Sequence, residues 1–157
     1  MTATAHTLVA GAIANRLGNP YLAVPLAFCS HFVMDSIPHW DFGTNWRTRS
    51  KNATGAFAII DTLLGLTVAY FIFAAKVPTV LLLAALVVSV LPDWLEAPWY
   101  IFFANHEKTQ PSANAGFLEK LTYRIYKLEN RFHSKAQAPL GIITQIATVA
   151  FFLLLLK

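Results

Sequence analysis

The chain has 157 residues, of which 56% are hydrophobic and 13% charged, and its mean hydropathy is +0.51. A soluble domain carries about 25% charged residues, so this sequence lacks the polar surface to cover itself in water, and residues 1–157 read as a single integral membrane domain. The net charge of +4 comes without a basic helix or an aromatic RNA-binding signature, which excludes nucleic acid; the lone Cys29 excludes a disulfide framework.

The fold class expected is all-α: a polytopic helical bundle of about five membrane segments plus one interfacial helix. Residues 4–18 (TAHTLVAGAIANRLG) form a short small-residue helix stopped by Gly18-Asn19-Pro20. His6 interrupts this stretch and no basic region precedes it, so it does not read as a cleavable signal peptide. Residues 20–38 follow as an apolar helix ending at Ile37-Pro38. Residues 54–75 and 77–103 are each long enough to cross a bilayer at roughly 20 residues per span. The polar segment 105–137 contains an amphipathic helix over 117–133, with Phe117, Leu121, Ile125, Leu128 and Phe132 on one stripe, which suits a helix at the membrane surface. Residues 138–156 make the last segment.

Lys and Arg set the orientation. Loop 39–53 carries Arg47, Arg49 and Lys51, and segment 105–137 carries Lys108, Lys120, Arg124, Lys127, Arg131 and Lys135, against Arg16, Lys76 and Lys157 on the other side. Nine against three puts both loops in the cytoplasm.

The polar residues then gather at one depth. In the stretch SHFVMDSIPHWD, residues 30–41, His31, Asp35 and His39 recur every fourth residue, and Asp41 follows. His31 and Asp35 fall near the cytoplasmic end of the second segment. Asp61 lies two turns into the third, Asp93 late in the fourth and His6 at the start of the first; His133 and Gln145 flank the start of the last. Taken singly, each has an ordinary reading. His6 could pack, His31 and Asp35 could pair, Asp61 could bond a neighbouring helix or carry a proton, and Asp93 could cap after Pro92. His106 and His133, in basic surroundings, read as surface residues, and Trp40, Trp46, Trp94, Trp99 and Tyr100 as an interfacial belt. Taken together, carboxylates and imidazoles inside a membrane would repel or go unsatisfied without a cation. A divalent metal resolves this, and His with Asp and no usable Cys suits Zn²⁺, Mn²⁺ or Fe²⁺.

These residues resemble the predicted membrane-bound metal-dependent hydrolases of bacteria and archaea. The resemblance rests on Thr4-Ala5-His6 in a small-residue helix, on Ser30-His31 with Asp35, and on Leu91-Pro92-Asp93. The chain would be a short, divergent member: the family's His-Arg-Gly-x-Thr-His-Ser stretch has no counterpart, and its His-x3-Asp helix precedes the Leu-Pro-Asp turn. The resemblance implies hydrolysis of an ester or phosphoester, with a lipid or lipid-linked substrate at the cytoplasmic face of a bacterial or archaeal membrane. His6, His31, Asp35 and Asp93 would hold one or two metals, Zn²⁺ first, that activate water near neutral pH. Asp61 or His39 would act as general base or orienter, and Arg47 and Arg49 would hold phosphate. The competing class is a metal- or proton-coupled transporter or a membrane interaction protein, suggested by Pro25, Pro38 and Pro92 beside ionisable residues.

Overall fold

A computed structural model describes residues 1–42, 50–105 and 109–157. The described residues form six helices and no strands: α1 (Ala3–Leu17), α2 (Pro20–Asp35), α3 (Lys51–Phe73), α4 (Thr79–Pro98), α5 (Phe117–Phe132) and α6 (Leu140–Leu155). A π-helical turn, Trp99–Phe103, extends α4. Each expected segment is matched by a helix whose ends differ by a few residues.

The helix ends follow local chemistry. Thr2 caps α1 by accepting from the Ala5 N–H, and Gly18 closes it with φ at 61° and its N–H on Ala14 O. Asn19 caps α2, whose Pro20 lacks a donor that position would not use, and Ser50 caps α3. α2 and α4 run on through Pro25 and Pro92.

α1 is the centre of the bundle, packed by α2, α3, α4 and α6. Its small residues permit this: ten of its fifteen residues are buried, most of them Ala, Gly or Thr. Gly65 of α3 allows a close backbone approach to α1, since a Cβ there would lie 2.7 Å from Thr4 Cα and 2.8 Å from Thr7 Oγ1. Many large apolar side chains point outward, although Met34, Leu82 and Leu86 are fully buried. Ile60, Leu63 and Phe71 on α3, Val80 on α4 and Leu154 on α6 are 59–82% exposed.

Among the described residues two helices, not five, are long and apolar enough to cross a membrane: α3, and α4 with its extension, Thr79–Phe103. α1, α2 and α6 have 15, 16 and 16 residues, which at about 1.5 Å per residue falls short of a hydrocarbon core of about 30 Å. The aromatic belt is also revised at one position. Trp99 is fully buried, stacked on Tyr126 and tilted against Tyr123 of α5. With the Phe32–Phe132 edge contact, this aromatic set fastens α5 to α4 and α2. Trp46 and His106 lie outside the described residues.

Candidate metal centre

The start of α1 and the C-terminal ends of α2 and α4 meet, as the sequence suggested. His6, His31 and Asp93 form one group of candidate ligand atoms, and Asp35, His39 and His133 a second; within each, the atoms lie within 4.8 Å of one another. Either group could hold a metal ion. His6, His31, Asp35 and His39 are each at most 2% exposed.

Backbone anchors place each side chain. Asp61 of α3 accepts from the Ala3 N–H at 2.6 Å, the Thr4 N–H at 3.3 Å and Thr4 Oγ1 at 2.7 Å. Its carboxylate thus satisfies orphan donors of the first turn of α1 and favours the positive end of that helix. Gln145 of α6 brackets Thr2, accepting from its N–H at 3.1 Å and donating to its hydroxyl at 3.2 Å. Together they fix α1 so that His6 stacks on His31, ring centroids 4.1 Å apart. Asp61 belongs to neither three-residue group.

The second group is delivered by non-helical chain. After α2, residues 36–41 run beside residues 133–137. Ser134 N–H donates to Asp35 O at 2.7 Å, His39 N–H to Ser134 O at 3.1 Å and Ala136 N–H to His39 O at 2.7 Å, with one parallel bridge between His39 and Lys135. Trp40 N–H donates to Gly141 O at 3.2 Å, and a Cβ at Gly141 would lie 2.6 Å from Trp40 N. His133 is therefore a site residue, not the surface residue its basic neighbours suggested. Asp41 joins it: His133 Nε2 lies 2.7 Å from Asp41 Oδ2. Burial raises the Asp41 carboxyl, but the hydrogen bonds from His133 and then His39 outweigh it and hold the group well below the carboxylate range. Burial pushes the His133 imidazole down, against the opposing pull of Asp41 and Asp35.

The protons on two imidazoles follow from their partners. His31 Nδ1 lies 2.8 Å from Ser89 O and His39 Nδ1 2.8 Å from Ile37 O. A carbonyl only accepts, so each Nδ1 carries the hydrogen and each Nε2 faces the cluster with its lone pair when the ring is neutral. His31 Nε2 then lies 3.5 Å from Asp35 Oδ2 and 3.7 Å from Asp93 Oδ1. His6 Nε2 is 3.1 Å from Asp35 Oδ1, but the alignment is not that of a hydrogen bond, and both His6 nitrogens and His31 Nε2 are buried without a hydrogen-bond partner. The Met1 amino group contacts Asp35 Oδ1, so positive charge is accommodated there.

These separations suit a shared ion. Ligand atoms about 2.0–2.2 Å from one tetrahedral metal lie about 3.3 Å from each other. Charge-assisted N–H···O bonds would be nearer 2.7–2.9 Å. The carbonyl-bound Nδ1 atoms are also the outer-shell contacts that orient a metal-ligating histidine.

A cavity of about 330 Å³ reaches the cluster between α3 and α4, lined by Asp41, Asp93 and His133 and walled by Ile59, Trp94 and Ile101. Lys51, Lys135 and the buried Glu96 also face it. Arg47 and Arg49 lie outside the described residues. The chain matches no family model, curated protein or solved structure.

Proposed function

We propose that the chain is a membrane-embedded, metal-dependent hydrolase that cleaves an ester or phosphoester of a lipid or lipid-linked substrate. The observation that carries this reading is the set of buried, hydrogen-bond-orphaned nitrogens of His6 and His31 beside Asp93, opening on an amphipathic cavity. Orphaned buried polar atoms cost free energy, about 1–3 kcal/mol each, and so call for a partner that the protein side chains do not supply. A bound divalent ion supplies Lewis acidity, polarising a phosphoryl oxygen and lowering the pKa of water.

The residues divide the remaining work. His6, His31 and Asp93, with Asp35 against them, hold the ion; Asp93, whose side chain is 33% exposed, is the member that faces the cavity. His39 supports ligation, and Asp61 positions His6 through α1. Lys51 and Lys135 offer positive charge to an anionic headgroup, while Ile59 and Trp94 meet the acyl portion. The outward apolar faces of α3, α4 and α6 support a five-segment bundle in which short α1, α2 and α6 end near the headgroup level. The basic residues of the two larger loops support a site on the cytoplasmic side of a bacterial or archaeal membrane. Transport is the weaker reading, because α2 and α4 continue through Pro25 and Pro92 and lack the discontinuity of a transporter's broken helices.

The test is turnover. Full-length protein in detergent, loaded with Zn²⁺ or Mn²⁺, is given a panel of phospholipids and lipid phosphates, with and without chelator. Hydrolysis that chelator abolishes and added metal restores is the expected result. If metal-loaded protein hydrolyses no member, the hydrolase reading is overturned.

A further inference from the structure

Asp35 stands between two pairs of histidines. Its Oδ1 faces His6 Nε2 at 3.1 Å and His39 Nε2 at 3.7 Å; its Oδ2 faces His31 Nε2 at 3.5 Å and His133 Nδ1 at 3.5 Å. Each carboxylate oxygen thus meets one histidine from either group. The pairs are alike in build, with His6 stacked on His31 at 4.1 Å and His39 tilted on His133 at 4.7 Å.

A proton count shows what this arrangement lacks. A neutral imidazole carries one N–H. That of His31 is used on Ser89 O and that of His39 on Ile37 O. His133 Nε2 donates to Asp41 Oδ2, since a carboxylate can only accept from it. Three lone pairs are therefore turned toward one carboxylate inside a buried site; the Met1 amino group meets its Oδ1 and His133 Nε2 lies 2.9 Å from His39 Nε2, but neither reaches His31 Nε2, which stays without a partner. Imidazolium protons would relieve the conflict only at shorter range, near 2.7–2.9 Å. One ion in the His6–His31–Asp93 group relieves His31 and leaves His39 and His133 facing Asp35 across 3.7 and 3.5 Å.

We infer that the site is dinuclear: a second divalent ion binds Asp35, His39 and His133, and Asp35 bridges it to the ion held by His6, His31 and Asp93. Asp41 fixes His133 with Nδ1 toward this ion, the carboxylate–histidine arrangement that metal sites use to orient a ring. Two ions a few ångströms apart clamp the attacking and leaving oxygens of a phosphoester together, which makes phosphoesters the favoured substrate class. The inference rests on the metal-dependent reading above and adds its nuclearity and the roles of Asp35, Asp41 and His133.

The experiment counts ions without measuring activity. Full-length protein in detergent is equilibrated with Zn²⁺ or Mn²⁺, freed of excess, and assayed for metal per chain by mass spectrometry; the Mn²⁺ form is examined by electron paramagnetic resonance. Two ions per chain and an exchange-coupled Mn²⁺ pair are expected, with His133→Ala reduced to one uncoupled ion. One ion in the unaltered protein, or two without coupling, overturns the dinuclear inference and leaves the hydrolase reading standing. No bound ion overturns both. The spectrum of the unaltered protein decides the matter even where His133→Ala does not fold.

Discussion

The two halves of the site are held in different ways. His6, His31 and Asp93 project from three packed helices, α1, α2 and α4, so their positions are set by the bundle core. His39, Asp41 and His133 sit on two non-helical strips joined by a few backbone hydrogen bonds. Their side chains are nonetheless as deep, at 0%, 9% and 8% exposure. Burial alone does not measure how firmly a ligand is held. A strip can part locally for less free energy than a helix can leave a core, so the second half is the separable one.

Asp35 breaks the comparison entirely, because it serves both halves. Asp35→Asn is expected to lower metal affinity at each by roughly 100-fold or more, beyond the 10- to 100-fold usual for an outer-shell change, and to abolish chelator-sensitive turnover. Titration calorimetry with Zn²⁺ checks it. Gly141→Val divides the halves. Its Cβ would fall 2.6 Å from both Ala136 O and Trp40 N, backbone atoms that must move apart. A cost of about 1–3 kcal/mol and loss of the His39–His133 ion are expected, with the His6–His31 ion kept. Equal loss of both ions would show that the strips are not separable.

The same difference explains what could be read from the sequence. His6, His31, Asp35 and Asp93 were legible because helices impose a period: four-residue spacing gave a shared face, and distance along each segment gave depth. Asp41 was visible in its stretch but had no assignable partner. His133 was misread because Arg131 and Lys135, both exposed, flank it. It reaches His39 across 94 residues through strip pairing, which leaves no periodic trace. Asp61 was found at the right depth, yet its partners are backbone donors of α1, which no side-chain pattern announces. α1 is as short as its apolar run, residues 4–18, whereas α2 and α6 end short of theirs, residues 20–38 and 138–156, because apolar composition does not mark where a helix stops.

Asp61→Ala sharpens the comparison from the helical side. It removes the acceptor for three donors at the start of α1 and should cost about 1–2 kcal/mol, the range for loss of a helix cap. His6 should loosen, so the first ion weakens while the second holds, the reverse of Gly141→Val. Thermal unfolding with metal counts checks both parts. Asp61→Ala that keeps unchanged stability and both ions would remove the anchoring role.

The smallest effect is a titration that reports charge at both halves at once. Glu129 lies on α5, one turn before His133, and its carboxyl is pushed up to about 7, first by burial and then by Asp93 and Asp35. Its pKa in the fold is above the ordinary carboxylate value, so ionising it disfavours the folded state. In metal-free protein, stability from this group is present below the unfolded value of about 4.3 and is lost as pH rises through about 7. Glu129→Gln should flatten that slope. Metal loading should lower the Glu129 pKa, because cations beside Asp35 and Asp93 cancel two of its three causes while burial persists. The carboxylate band that Glu129→Gln removes from the infrared spectrum identifies the group in both states. The downward shift should be partial with one half loaded, as in the Gly141→Val protein, and larger with both. A Glu129 titration that ignores metal would mean the ions bind away from Asp35 and Asp93.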